Sequence, residues 1–142
     1  RRAGTPPVAA IGGFGLAASR APADSEAVAA LRDRLESRLR AAVDGLVVHG
    51  AQAQRLPNTS FVGLPDGADG EWLTLSLAEQ GVSVSTGAAC ASGEARPSHV
   101  LLAMGCDAVQ AAGSLRFSLG PETTEAEVDA AVLALQRALA AG

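Results

Sequence analysis

Cys90 is the residue best suited to chemistry, because it lies in a segment of small side chains. Residues 86–93 read Thr-Gly-Ala-Ala-Cys-Ala-Ser-Gly and follow the alternating residues 82–85, Val-Ser-Val-Ser, which are typical of a strand. A structural cysteine is usually wedged among large apolar side chains, whereas a reactive thiol needs access and room to move. The alternative is a small hydrophobic residue in a turn, but the surroundings favour a reactive thiol.

Arg116 is the second candidate, in the middle of the alternating segment 114–119, Ser-Leu-Arg-Phe-Ser-Leu. The alternation predicts a strand whose core-facing residues are Leu115, Phe117 and Leu119. Arg116 then lies on the opposite, polar face, held in one direction, which suits bidentate capture of a carboxylate or phosphate. A merely solvated arginine on an exposed sheet face is an equally good interpretation.

Three further residues favour structural roles. His99 begins a predicted helix and could act as an acid or base, but a surface or capping histidine is favoured. Arg96 is interpreted as a solvated loop charge rather than as a contact for an anionic partner. Cys106 follows a predicted helix end and is interpreted as a packing residue. The few Cys and His residues do not cluster in the sequence, so we predict no structural metal site.

The basic side chains of the chain are all arginine. Its 142 residues include 11 basic ones and no lysine, so this polypeptide alone cannot complete chemistry that needs a Schiff-base amine. A codon bias towards arginine and alanine accounts for the composition, but the chemical consequence stands.

Composition and length indicate one compact domain. The chain is 48% apolar with a net charge of −4, and it has no apolar run near the ~18 residues of a membrane span. No signal peptide opens it, and no basic stripe suggests direct binding of nucleic acid. Two cysteines do not make a disulfide scaffold, so we expect a cytoplasmic protein with reduced thiols.

Helices and strands alternate along the chain. An amphipathic helix after residue 24 places Val28, Leu31 and Leu35 on its apolar face and Glu36 on its charged face. Thr124 and Glu127 have capping-box spacing and begin the last helix. The other predicted helices are a weak one at 8–18, one at 97–104, and one at 73–80, where strand periodicity is the alternative. The predicted strands are 46–50, 59–64, 82–85 and 114–119. This pattern predicts a two-layer α/β sandwich.

Three of these segments together resemble the C-terminal region of a cysteine desulfurase, of the branch with the long catalytic loop. They are residues 86–93, 97–101 and 114–120. Residues 2–5, Arg-Ala-Gly-Thr, and 55–58, Arg-Leu-Pro-Asn, fall in the matching order upstream. The resemblance places the chain in the class V aminotransferase-like family of pyridoxal-phosphate enzymes.

The fold that this resemblance implies is the two-layer α+β small domain of a fold-type I pyridoxal-phosphate enzyme, with the large domain absent. Residues 1–20 would be the tail end of the large cofactor-binding domain. Residues 21–142 would be the small domain, with the catalytic cysteine loop at about 85–97.

The resemblance also implies roles for three residues. Cys90 would take the sulfur of L-cysteine as a persulfide, with release of L-alanine, and Arg116 would bind the substrate carboxylate. Thr5 would bind the cofactor phosphate in the neighbouring subunit of a homodimer. The sulfur acceptor would be an iron–sulfur scaffold or a tRNA-thiolating protein, and a transient iron–sulfur ligand role of Cys90 is left open.

The chain departs from the family pattern in several places. The lysine anchor, the stacking histidine and the aspartate at the pyridine nitrogen belong to the large domain, so we expect this chain alone to be inactive. Ala88 replaces the usual Ser, and Pro6 and Pro7 replace an acidic residue and Asn. Two alternatives therefore stay open: a stand-alone persulfide carrier without its own cofactor, and a related pyridoxal-phosphate lyase or aminotransferase.

Overall fold

The computed structural model describes residues 4–20, 25–65, 68–87 and 97–141. Within them lie α1 (Val8–Ser19), α2 (Ser25–Ala42), β1 (Val47–Val48), β2 (Thr59–Gly63), α3 (Gly70–Glu79), β3 (Ser85–Thr86), α4 (His99–Ala103), α5 (Ala108–Ala112), β4 (Ser114–Ser118) and α6 (Glu125–Ala141).

The four strands form one antiparallel sheet in the order β1-β2-β4-β3. Strand β4 is central, and its Arg116 is opposite Phe61 of β2 on one side and Ser85 of β3 on the other. Since side chains alternate between the two faces of a strand, these three residues share one face of the sheet.

The opposite face of the sheet carries the core. Helices α2, α3 and α6 pack there around a set of fully buried side chains: Leu35, Leu39, Val62, Leu73, Leu77, Leu115 and Leu135. The two-layer architecture predicted from the sequence is confirmed, and so is the inward direction of Leu115, Phe117 and Leu119.

The ambiguous segment 73–80 belongs to helix α3. Its N-cap is Asp69, whose Oδ1 accepts hydrogen bonds from the backbone N–H of Glu71 and Trp72 at 2.9 and 3.1 Å. Leu73 and Leu77 are buried one helical turn apart. In a strand Leu75 would share their face, but here it is exposed, so the period of 3.6 residues prevails.

Several elements differ from prediction, and strand β1 is Val47–Val48 rather than 46–50. Strand β3 is Ser85–Thr86 rather than 82–85, because Val82 and Val84 pack against the core ahead of the sheet pairing. The helix expected at 97–104 is the shorter α4. Helix α5 was not predicted, although Asp107 and Gln110 form a capping box at its start.

Helix α1 forms as predicted and lies outside the core cluster. None of its residues is buried, and Val8 and Phe14 are 74% and 76% exposed. Helices α4 and α5 contact each other, and their residues Leu101 and Ala111 are buried outside the main core cluster. No described helix is both long and apolar enough to span a bilayer.

Candidate active site

The predicted nucleophile, Cys90, lies outside the described residues, together with Ala88 and Arg96. The residues on either side of that segment are described and lie close together. A Cβ atom placed on Gly87 would be 2.8 Å from Cβ of Ser98 and 2.7 Å from Cζ of Phe61. The described residues on the two sides of segment 88–96, Gly87 and Ser98, therefore meet beside Phe61.

Arg116 occupies the polar face of the sheet, as the alternation of β4 predicted. It is exposed, and its Nη2 donates a long hydrogen bond of 3.4 Å to Oγ of Ser85. No carboxylate of the described residues forms an ion pair with its guanidinium. An external carboxylate can therefore use the two-pronged donor geometry of the side chain.

The sheet places Arg116 next to β3, the strand that precedes the Cys90 segment in the sequence. Ser85 pairs directly with Arg116, and Gly87 is two residues further along the same chain segment. Cys90 is thus only three residues beyond a glycine that packs against Phe61, the other neighbour of Arg116. An exposed arginine without a described carboxylate partner, beside the strand that leads to a cysteine, could accommodate a small amino acid.

The Arg-Leu-Pro-Asn motif at residues 55–58 is bound to α2 through the carboxylate of Glu36. The helical periodicity of the sequence predicted this residue on the charged face of the helix. Glu36 is only 3% exposed. Its carboxylate accepts hydrogen bonds from Arg55 Nη1 and Nη2 at 2.7 and 3.2 Å and from Ser60 Oγ at 2.8 Å. Burial raises the pKa of Glu36, but the hydrogen bonds from Arg55 and Ser60 outweigh it, so the pKa lies below its usual range. Arg32 also donates to the carbonyl of Leu56, at 3.1 Å.

Thr5 and His99 are not brought into this arrangement. Thr5 is exposed ahead of α1, and the structure gives it no hydrogen bond among the described residues. His99 is the exposed first residue of α4, and Ser98, not His99, caps that helix. The surface interpretation of His99 is the one that its position favours.

Cys106 contacts a histidine that the sequence analysis did not connect with it. Its Sγ lies 3.7 Å from Nδ1 of His49, whose Nε2 lies 3.1 Å from Oγ of Ser114. Ser114 is on the polar face of β4 and yet fully buried. Burial lowers the pKa of His49. In the sequence, His49 lies within the predicted strand 46–50, and periodicity alone does not connect it to residues 106 and 114.

The chain fits only part of the requirements of a cofactor site. Arg116 suits a substrate carboxylate, but without lysine no side chain of this polypeptide can hold an aldehyde cofactor as a Schiff base. The described residues contain no group of three or more His, Cys, Asp or Glu side chains that could hold a metal ion.

Comparison with known proteins gives one family. The family model described as aminotransferase class-V matches residues 1–131. A cysteine desulfurase of Cereibacter sphaeroides is 48% identical over 129 residues, which are 90% of this chain and 33% of that protein. An IscS-like cysteine desulfurase of Mycobacterium tuberculosis is 42% identical over 144 residues, with 98% of this chain and 36% of that protein covered.

A solved structure agrees with these sequence matches. The X-ray structure of a NifS-like protein from Rickettsia africae superposes with a TM-score of 0.81 at 27% identity, covering 98% of this chain and 36% of that one. The chain therefore spans about a third of the length of the relatives that it matches.

Proposed function

The chain belongs to the aminotransferase class-V family, and we propose that it is the C-terminal part of a pyridoxal-phosphate-dependent cysteine desulfurase. The observation that carries the proposal is the pairing of Arg116 with the strand that leads into the Cys90 segment. Its similarity to proteins named cysteine desulfurase supports the choice of reaction within the family. Residues 1–20 would end the large domain, and 21–142 would form the small one.

In the proposed reaction Cys90 takes the sulfur of L-cysteine and L-alanine leaves. The balance is one thiol and one L-cysteine giving one persulfide, Cys90–S–SH, and one L-alanine. Arg116 holds the substrate carboxylate by two parallel hydrogen bonds and so orients the sulfur. Pyridoxal phosphate supplies the electron sink for this chemistry, and its lysine anchor would lie in the remainder of the parent protein.

The partners of the parent protein follow from the same proposal. We propose a cytoplasmic homodimer in which Thr5 meets the cofactor phosphate of the neighbouring subunit, and the exposure of Thr5 is compatible with such a contact. The persulfide would pass to an iron–sulfur scaffold or to a tRNA-thiolating protein. Acceptor assays with both classes of protein distinguish these routes.

Substitutions in the intact parent protein test the two side-chain roles separately. Cys90→Ser is expected to abolish persulfide formation while L-cysteine still binds. Arg116→Lys keeps the charge but loses the two-pronged geometry, so KM for L-cysteine should rise about tenfold or more with a smaller change in kcat. The matched control is Arg137→Lys, on the exposed side of α6, which should leave both constants unchanged. Alanine release gives the kinetics, and mass spectrometry locates the added sulfur.

The results also separate the alternatives. Undiminished sulfur transfer by Cys90→Ser contradicts the proposal and points to a related lyase or aminotransferase. If the 142-residue chain alone accepts sulfur on Cys90 from a separate desulfurase, and no parent protein makes alanine, the stand-alone persulfide carrier is correct instead.

A further inference from the structure

We propose that Cys106, His49 and Ser114 form a thiol–disulfide exchange site, in which His49 takes the proton of Cys106 and Ser114 orients the imidazole. Two contacts order these side chains as nucleophile, base and orienting hydroxyl. Sγ of Cys106 lies 3.7 Å from Nδ1 of His49, and Nε2 of His49 lies 3.1 Å from Oγ of Ser114. The proposed substrate is a small disulfide. This site is distinct from Cys90 and does not depend on the proposed desulfurase function.

The hydrogen bonds of Ser114 assign the tautomer of His49. The Ser114 hydroxyl donates to the backbone carbonyl of Gln110 at 2.7 Å, so its only proton is already used. Its oxygen must then accept from His49, which places the ring proton on Nε2 and leaves a lone pair on Nδ1. That lone pair faces Cys106, whose thiol is the donor.

The imidazole ring is fixed from several sides. Phe61 meets it edge to face, with ring centroids 5.5 Å apart. On the sheet side, a Cβ on Gly63 would lie only 2.8 Å from Nε2, so the absence of a side chain at that position lets the ring approach the strand. Burial lowers the pKa of His49, which favours the neutral ring, and the Nδ1 atom of a neutral ring protonated on Nε2 has a lone pair that can accept a proton.

The thiol is held by two helix caps rather than by a free loop. Gly105, with φ of +92°, ends α4 in the left-handed conformation, and the N–H of Cys106 donates to the carbonyl of Leu101 at 3.0 Å, the pattern of a Schellman motif. One residue later Asp107 caps α5 in a reciprocal box with Gln110. Cys106 is therefore placed between two fixed turns, at a position of intermediate exposure.

The exchange step balances without a further reagent. As Sγ of Cys106 attacks one sulfur of R–S–S–R, its proton passes to Nδ1 of His49. The R–S–S–R bond breaks, a bond from Sγ to sulfur forms, and the leaving thiolate takes the proton back from the imidazolium. Cys106 is oxidised to a mixed disulfide and the other half of the reagent is reduced to a thiol.

The test measures the reaction of the full chain with 2-hydroxyethyl disulfide at pH 7. The background is Cys90→Ser, because trypsin does not cut after Arg96 before Pro97 and both cysteines share the peptide 56–116. The mass of that peptide then reports Cys106 alone. His49→Gln keeps a donor for Ser114 but has no basic lone pair, so the second-order rate constant should fall about tenfold or more.

Matched controls make the result decisive. His99→Gln, the same change in the other histidine of the chain, should leave the rate constant unchanged. Ser114→Ala should lower it, and Ser114→Thr, which keeps the hydroxyl, should restore it. The proposal is overturned if folded Cys106 reacts no faster than Cys106 of the guanidinium-unfolded chain, or if His49→Gln reacts like its parent. Should His49→Gln not fold, equal rates for Ser114→Ala and Ser114→Thr overturn it instead.

Discussion

Glu36 shows what a single carboxylate does for this fold. It connects the middle of α2 to the motif at 55–58 and to the start of β2, through Arg55 and Ser60. Both oxygens are used, and no buried side-chain nitrogen or oxygen of the described residues lacks a partner. A charge taken out of water is tolerated only when it is paired and hydrogen-bonded in this way.

Removing the charge of Glu36 should therefore destabilise the fold. We expect Glu36→Gln to lower the free energy of unfolding by about 3 kcal/mol at pH 7, because Arg55 is left without its counter-charge. Urea unfolding followed by circular dichroism measures the loss. The control is Arg38→Gln: Arg38 is exposed and pairs with Asp129 at 3.4 Å, so it should cost about 0.5 kcal/mol or less.

The loss should depend on pH in one direction. The folded-state pKa of Glu36 is below its usual 4.5, so the ionised carboxylate stabilises the fold at pH values above that value. As pH falls from 4.5 through the lower folded-state pKa, this stabilisation disappears. The difference between the wild type and Glu36→Gln should shrink over that range, and a constant difference down to pH 3 would contradict the assignment.

Sequence reasoning reached Arg116 but not Glu36 or His49, for a physical reason. A strand has a period of two, so the exposure of Arg116 follows from its apolar neighbours Leu115 and Phe117. The burial of Glu36 instead depends on what the loop after β1 places over α2. The contact of His49 with Cys106 joins residues 57 positions apart, which no local pattern encodes.

At the scale of elements, N-terminal helix caps indicate helices at segments where hydrophobic periodicity alone is ambiguous. The prediction of a helix rather than a strand for the segment 73–80 is confirmed, and the structure adds Asp69 as the N-cap of α3. Helix α5 was overlooked because its five residues include one large apolar side chain, Val109, which is exposed. The capping box of Asp107 and Gln110 was the signal that could have revealed it.

Gly87 controls the junction between β3 and the segment that carries Cys90. Gly87→Ala would place a methyl group within 3 Å of Phe61 and Ser98, so one of them must shift. We expect a loss of about 1–3 kcal/mol in the free energy of unfolding, typical of overpacking. Chemical denaturation gives the value. Gly120→Ala is the matched control, since a Cβ there meets only Thr123 Oγ1, at 3.9 Å. Equal stability of the Gly87→Ala and Gly120→Ala variants would contradict the prediction, because it would show that Phe61 and Ser98 can move aside without loss of stability.

At the scale of the whole molecule, the described residues divide into a packed sandwich and an exposed helix. Four large apolar side chains of α1 are more than half exposed: Val8, Ile11, Phe14 and Leu16. Under the proposed function, the large domain of the parent protein covers them. The presence of this large domain was predictable only from the family resemblance. Residues 1–20 by themselves do not show what packs against the four exposed side chains.

Phe14→Ala distinguishes the two situations. In the 142-residue chain alone it should change the free energy of unfolding by less than about 0.5 kcal/mol, because Phe14 is 76% exposed and loses few contacts. In the intact parent protein the same change should cost about 3 kcal/mol. Leu135→Ala, at a fully buried position, should be costly in both. An equal, small effect of Phe14→Ala in both proteins would contradict the proposed domain boundary.

The closeness of Gly87 and Ser98 has a consequence for how such a chain can diversify. When the two ends of a connection lie close together, its length can change without moving the strands that it joins. Doubling the length of a loop costs only about 0.6 kcal/mol in closure entropy. Residues can then be inserted or grafted between these two positions without altering the strand register around Arg116. Under the proposed function, changes in the length or sequence of this connection could direct the Cys90 thiol to a different acceptor protein while the position of Arg116 stays the same.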